Sequence, residues 1–146
     1  MSEDMMQIES VQKVRGEGIG VRLPLVGRVV PAGDPCDGDD WVDEWVDLNE
    51  FMVGNPEGTF LMRVRGDSML MAGIRDRDYL VVDREREALD QDVVVAEVEG
   101  ELTVKRLRWM DGQFCLVGEN PDYARVITGE IRVWGVVCGV LRKYCR

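Results

Sequence analysis

The chain has 146 residues, 45% of them hydrophobic, which suits one ordinary core and leaves too little for a second large domain. Its 28 acidic residues against 18 basic ones give a formal charge of −10, repelled by a bare phosphate backbone, so direct nucleic-acid binding is disfavoured. No apolar run approaches the roughly 20 residues that span a bilayer, and with no histidine the usual mixed zinc sites and Cys-His or Ser-His catalytic pairs are excluded.

In chain order, Met1 to about Gly20 is polar and Gly-interrupted without a sustained period, which predicts a flexible leader. Its opening "MSEDMMQIES" is acidic and unlike a signal peptide, so a cytoplasmic protein is expected. "VRLPLVGRVVPAGDPCDGDD" carries Pro24, Pro31 and Pro35 and reads as an extended segment. From Asp34 to Glu50 there are eight acidic residues and no basic one, interrupted by Trp41, Val42, Trp45 and Val46. That pattern predicts a solvated acidic loop with aromatic anchors, for which Arg63, Arg65, Arg106 and Arg108 are candidate ion-pair partners. Asp47 then caps a short helix, "LNEFM".

Beyond Gly58 the texture turns to strands. "TFLMRVR" sets Phe60, Met62 and Val64 against Leu61, Arg63 and Arg65, the period-2 pattern of a half-buried strand. "YLVVD" reads as another strand, and "DVVVAEVEGELTVKRL" as a hairpin turning at Glu99-Gly100. "DGQFCLVGENP" supplies a turn at Asp111-Gly112 and a further strand. "IRVWGVVCGVLRKY" is one or two strands kinked at Gly135 or Gly139. Cys36, Cys115, Cys138 and Cys145 form no C-x-x-C pair and are expected as reduced, small hydrophobes. The expected architecture is mainly β, with neither metal nor cofactor.

Ser68 stands in a Gly-Asp-Ser-Met turn between two of these strands. A serine hydroxyl is a weak nucleophile until a base takes its proton, and without histidine the remaining base of the right kind is lysine. Bringing a lysine to work near neutral pH asks about 4 kcal/mol of its surroundings, which burial among apolar groups can supply. Lys13 lies in the leader and Lys143 in the tail. Lys105 differs, because in "ELTVKRL" it shares one strand face with Thr103 and Leu107 while Arg106 points the other way.

"GDSM" and "TVK", with Ser68 and Lys105 37 positions apart in a β-rich chain, resemble the UmuD/LexA family of self-cleaving Ser-Lys peptidases. "LPLVGRVVPAG" is similar to the cleavage arm of LexA-type proteins, and "DLNE", "NP" before the first core strand and "RGDSM" are closer to the UmuD branch. "GIRDRDYLVVDRE", "DVVVAEVEGELTVKRL" and "GENPDY" extend the resemblance over about Leu23 to Arg142.

The resemblance implies a LexA/UmuD-type fold of curved, partly barrel-like sheets. An arm of residues 1–32 would be removed by self-cleavage from a peptidase and dimerisation domain of residues 33–146. Ser68 would attack the Ala32-Gly33 bond with Lys105 as general base, and the backbone N–H groups of Asp67 and Ser68 would face the oxyanion. It further implies a homodimer, stimulation by a RecA filament on single-stranded DNA, and a product serving a UmuC-like translesion polymerase in the SOS response. The alternative is a LexA-like regulator or antirepressor fragment with cleavage as its switch. The 32 residues before the bond are too few for a helix-turn-helix domain, which disfavours a self-sufficient repressor. Type I signal peptidases also pair a serine with a strand lysine, but no membrane anchor is read here. An inert scaffold is disfavoured because Ser68, Lys105 and a suitable bond occur together.

Overall fold

The computed structural model describes residues 6–13, 20–27, 42–123 and 125–146. Among the described residues there are ten strands: β1 (Met6–Lys13), β2 (Arg22–Val26), β3 (Val42–Asp47), β4 (Thr59–Arg65), β5 (Tyr79–Asp83), β6 (Val93–Val98), β7 (Glu101–Met110), β8 (Gln113–Val117), β9 (Val126–Ile127) and β10 (Arg132–Leu141). The one α-helix among the described residues, α1 (Leu48–Met52), begins where the Asp47 carboxylate accepts the N–H groups of Asn49 and Glu50, as the sequence predicts. The mainly β expectation holds.

The large sheet runs β1-β4-β5-β10-β6-β7-β8-β9, and an additional β1–β7 pairing closes its first six strands into a barrel. Two apolar clusters lie on opposite faces of its strands, since the consecutive residues Val94 and Val95 of β6 belong to different ones. Met6, Met62, Val64, Met69, Ile74, Leu80, Val82, Val95 and Val104 form one, and Val94, Ala96, Val98, Leu107, Leu116 and Val136 the other. The expected hairpin turns hold: Glu99-Gly100 and Asp111-Gly112 both have two successive positive φ angles, at 53° and 80° and at 52° and 79°. β10 is one strand, with register shifts between Val133 and Gly135 and between Val137 and Gly139.

Three expectations need correction. Residues 6–13 of the expected flexible leader are a barrel strand, not an irregular segment. A bulge between Ile8 and Ser10 shifts the register against β4, so no unbroken alternation marks the strand. The second half of the expected acidic loop is β3, paired with β2 in a separate two-stranded sheet. β2 is exposed along its whole length and Trp45 is 60% exposed rather than an anchor, which is why the ribbon carries charge without an apolar face. Finally, among the described residues Arg63 and Arg65 pair with Glu9, and Arg106 with Glu119, instead of with Asp43, Glu44, Asp47 or Glu50 of the acidic segment.

Candidate active site

Ser68 follows strand β4 in a tight turn. Gly66 takes φ 105°, a conformation that costs other residues dearly, and its N–H is held by the Asp76 carboxylate at 2.8 Å. After Met69 the chain makes a short 3-10 turn, Leu70–Ala72, ended by Gly73 at φ 83°. Met69 is fully buried in the first cluster and anchors the turn to the core. The expected position of Ser68, between two strands, is therefore observed.

The turn is clamped by the segment after β8. Glu119 N–H donates to the Ser68 carbonyl at 2.9 Å, and the Glu119 carbonyl accepts Met71 N–H at 2.6 Å. The Asn120 amide donates to the Asp67 carbonyl at 2.8 Å while its own oxygen accepts Asp122 N–H at 3.0 Å, which fixes the orientation of the amide. In a trans peptide the N–H points opposite to the C=O, so these contacts aim the Ser68 and Met69 N–H groups away from the Glu119-Asn120 segment. Arg106 steadies Glu119 through a 2.9 Å bond.

Lys105 lies where three elements meet. The first half of β7 is bordered by β1, through Met6↔Val104 and Gln7↔Thr103. The second half is bordered by β8, from Arg106↔Val117 to Met110↔Gln113. Lys105 occupies the junction, opposite Val94 of β6, and is fully buried.

Met6 links the two halves of the site. Its N–H donates to Ser68 Oγ at 2.9 Å, its carbonyl accepts the Thr103 hydroxyl at 2.7 Å, and its backbone pairs with Val104, the neighbour of Lys105. Ser68 itself is 1% exposed. Met6 therefore bonds to Ser68 and pairs with the chain neighbour of Lys105, a link the sequence did not suggest. Asn120 and Met6 went unassigned in the sequence reading. The only signal for Asn120 was the "GENPDY" block, and Met6 had none.

Ala32 and Gly33 lie outside the described residues, as does Cys36; the flanking strands β2 and β3 are paired, with Val26 opposite Val42. Cys115, Cys138 and Cys145 are free thiols, the first buried. Among the described residues no helix is long and apolar enough to cross a membrane.

Ser68, in the turn after β4, and Lys105, on β7, are both buried. Residues 24–138 match the Peptidase S24-like family, and the chain belongs to that family, the self-cleaving UmuD/LexA peptidases. It is 37% identical over 127 residues to protein SamA of Salmonella typhimurium, covering 87% of this chain and 90% of that protein. It is 35% identical over 121 residues to protein ImpA of Escherichia coli, covering 82% and 83%. It is also 39% identical over 131 residues to the LexA repressor of Frankia alni, covering 89% of this chain but only 51% of that longer protein.

Proposed function

We propose that the protein is a UmuD-like peptidase whose principal substrate is its own Ala32-Gly33 bond. The observation that carries this reading is that Ser68 and Lys105 are both buried, with Met6 donating to Ser68 Oγ and pairing with Val104, the chain neighbour of Lys105. Lys105, neutral, takes the Ser68 proton as Oγ bonds to the Ala32 carbonyl carbon, and the negative oxygen faces the N–H groups of Asp67 and Ser68. Collapse breaks the C–N bond to Gly33, whose amine takes the proton from Lys105. Water then hydrolyses the ester with Lys105 again as base. Residues 1–32 leave and 33–146 remain as the peptidase and dimerisation domain.

On this reading a RecA filament on single-stranded DNA stimulates the cut in the cytoplasm, and the shortened homodimer serves a UmuC-like translesion polymerase. The charge of −10 supports work through protein partners rather than through DNA. The LexA repressor relatives favour a second reading, a regulator switched by cleavage. Capture of a translesion polymerase by the shortened protein supports the first; binding to an operator-like duplex supports the second.

The direct test is intact mass after incubation from neutral pH to about pH 10, beside Ser68→Ala and Lys105→Ala. Alkaline pH helps because it deprotonates a lysine base. Wild type should yield Met1–Ala32 and Gly33–Arg146, faster as pH rises, while both variants stay whole. A wild type that stays whole even with a RecA filament present sinks the self-cleavage reading.

A further inference from the structure

The slot between β4 and β7, beside Ser68, is filled by a strand that lies far from the expected scissile bond. β1 pairs with β4 from Gln7↔Arg65 to Lys13↔Phe60 and with β7 through Met6 and Gln7. It is the stave that closes the barrel. Its first residue is fully buried, with the N–H on the nucleophile and the C=O on Thr103. Glu9 holds its middle to β4, 3.2 Å from Arg63 and 3.0 Å from Arg65. β1 also precedes the residues matched by the family, which begin at 24.

We propose that the β4–β7 slot is a strand-binding site and that β1 is its resident occupant, an internal plug that the cleavage arm must displace. A nucleophile attacks only when the carbonyl carbon sits about 3 Å from it. Ser68 Oγ already holds a peptide N–H and is sealed from solvent. An extended arm docking beside Ser68 needs the same backbone partners on β4 and β7, because a sheet edge pairs with one strand at a time. The two occupants exclude each other. On this proposal the uncut protein is latent until β1 leaves, whichever copy of the chain supplies the arm. This inference rests on the self-cleavage reading only for the identity of the second occupant.

Two readouts separate the plug from that reading. In a Ser68→Cys background, the alkylation rate of the introduced thiol by iodoacetamide, followed by peptide mapping, reports whether β1 covers position 68. Met6→Glu places a charge in the sealed slot, and Glu9→Lys sets a cation against Arg63 and Arg65 without touching the core. Glu130→Lys, at an exposed ion pair with Arg132, is the control for the same charge change. The plug predicts alkylation at least about tenfold faster for Met6→Glu and about threefold faster for Glu9→Lys, with Glu130→Lys unchanged. If Met6→Glu fails to fold, the rim variant Glu9→Lys decides. Equal alkylation in Glu9→Lys and Glu130→Lys overturns the plug, as does release of Met1–Met5, which would make β1 a substrate.

With Ser68 intact, intact mass follows scission at Ala32-Gly33. Faster scission in Glu9→Lys supports competition between β1 and the arm. Faster alkylation with no scission in any variant leaves the plug standing and removes self-cleavage.

Discussion

At the scale of single residues, the site depends on side chains that hold the backbone as much as on those that react. Asn120 donates to the Asp67 carbonyl, which sets the plane of the peptide carrying the Ser68 N–H. Asn120→Asp keeps the shape and the acceptor for Asp122 N–H but loses the donor and turns a carboxylate toward a carbonyl. It should slow self-cleavage about 10- to 100-fold, with the pH at which the rate rises unchanged and the thermal midpoint little altered. A wild-type rate in a folded Asn120→Asp would show that the clamp does not orient the oxyanion donor. A serine in such a turn is by itself usually structural, and Ser68 stood out in the sequence only through its combination with Lys105 and the "RGDSM" and "TVK" blocks. Asn120 did not stand out, because its role exists only through a hydrogen bond across 53 positions of chain.

At the scale of elements, strand patterning was readable where a strand has one apolar face and lost where it has none. β4 was found from its alternation, and β5, β6 and β7, which also carry buried residues, as β-rich runs, the last two joined by a turn. β3 was missed because Asp43, Glu44 and Trp45 are all exposed on a two-stranded ribbon, so charge masked its pairing with β2. β10 was found as a kinked element, and its two glycines serve different neighbours. A methyl group at Gly135 would meet Val82 Cγ1 at 2.7 Å and the Asp83 carbonyl oxygen at 3.1 Å, while one at Gly139 would meet chiefly the flexible end of Met52. Gly135→Ala should therefore cost about 1–3 kcal/mol, and Gly139→Ala distinctly less. Urea unfolding midpoints of the two variants test the order; equal losses would mean that the rigid backbone at Asp83 and Arg84 is not what limits Gly135.

At the scale of the whole molecule, the chain's end is tied back to the turn that follows Ser68. Arg142, just past β10, donates two 2.7 Å bonds to the Asp78 carboxylate and a third to the Gly73 carbonyl at 3.1 Å. Burial alone pushes the Asp78 carboxyl up, but the Arg142 bonds and the Arg75 N–H outweigh it and hold the group below its usual range. A carboxyl depressed by folding contributes stability that is complete above the ordinary carboxylate range and is lost as pH falls through that range and below it. Asp78→Asn should accordingly be less stable than wild type at about pH 6, with the gap closing toward about pH 3. Thermal midpoints measured across that range check it, and a constant gap would mean that packing rather than charge holds the tie.

The sequence by itself determined the β class, the hairpin turns, the family and the two residues proposed to react, because alternation, turn chemistry and a short motif are local properties. Only the tertiary structure decided that Lys105 lies wholly sealed at the meeting of β1, β7 and β8, and that β1 occupies the slot beside Ser68. Backbone hydrogen bonds along a sheet edge are nearly indifferent to side chains. Which segment fills an open edge is therefore set by the space between β4 and β7 and by what the chain can bring there.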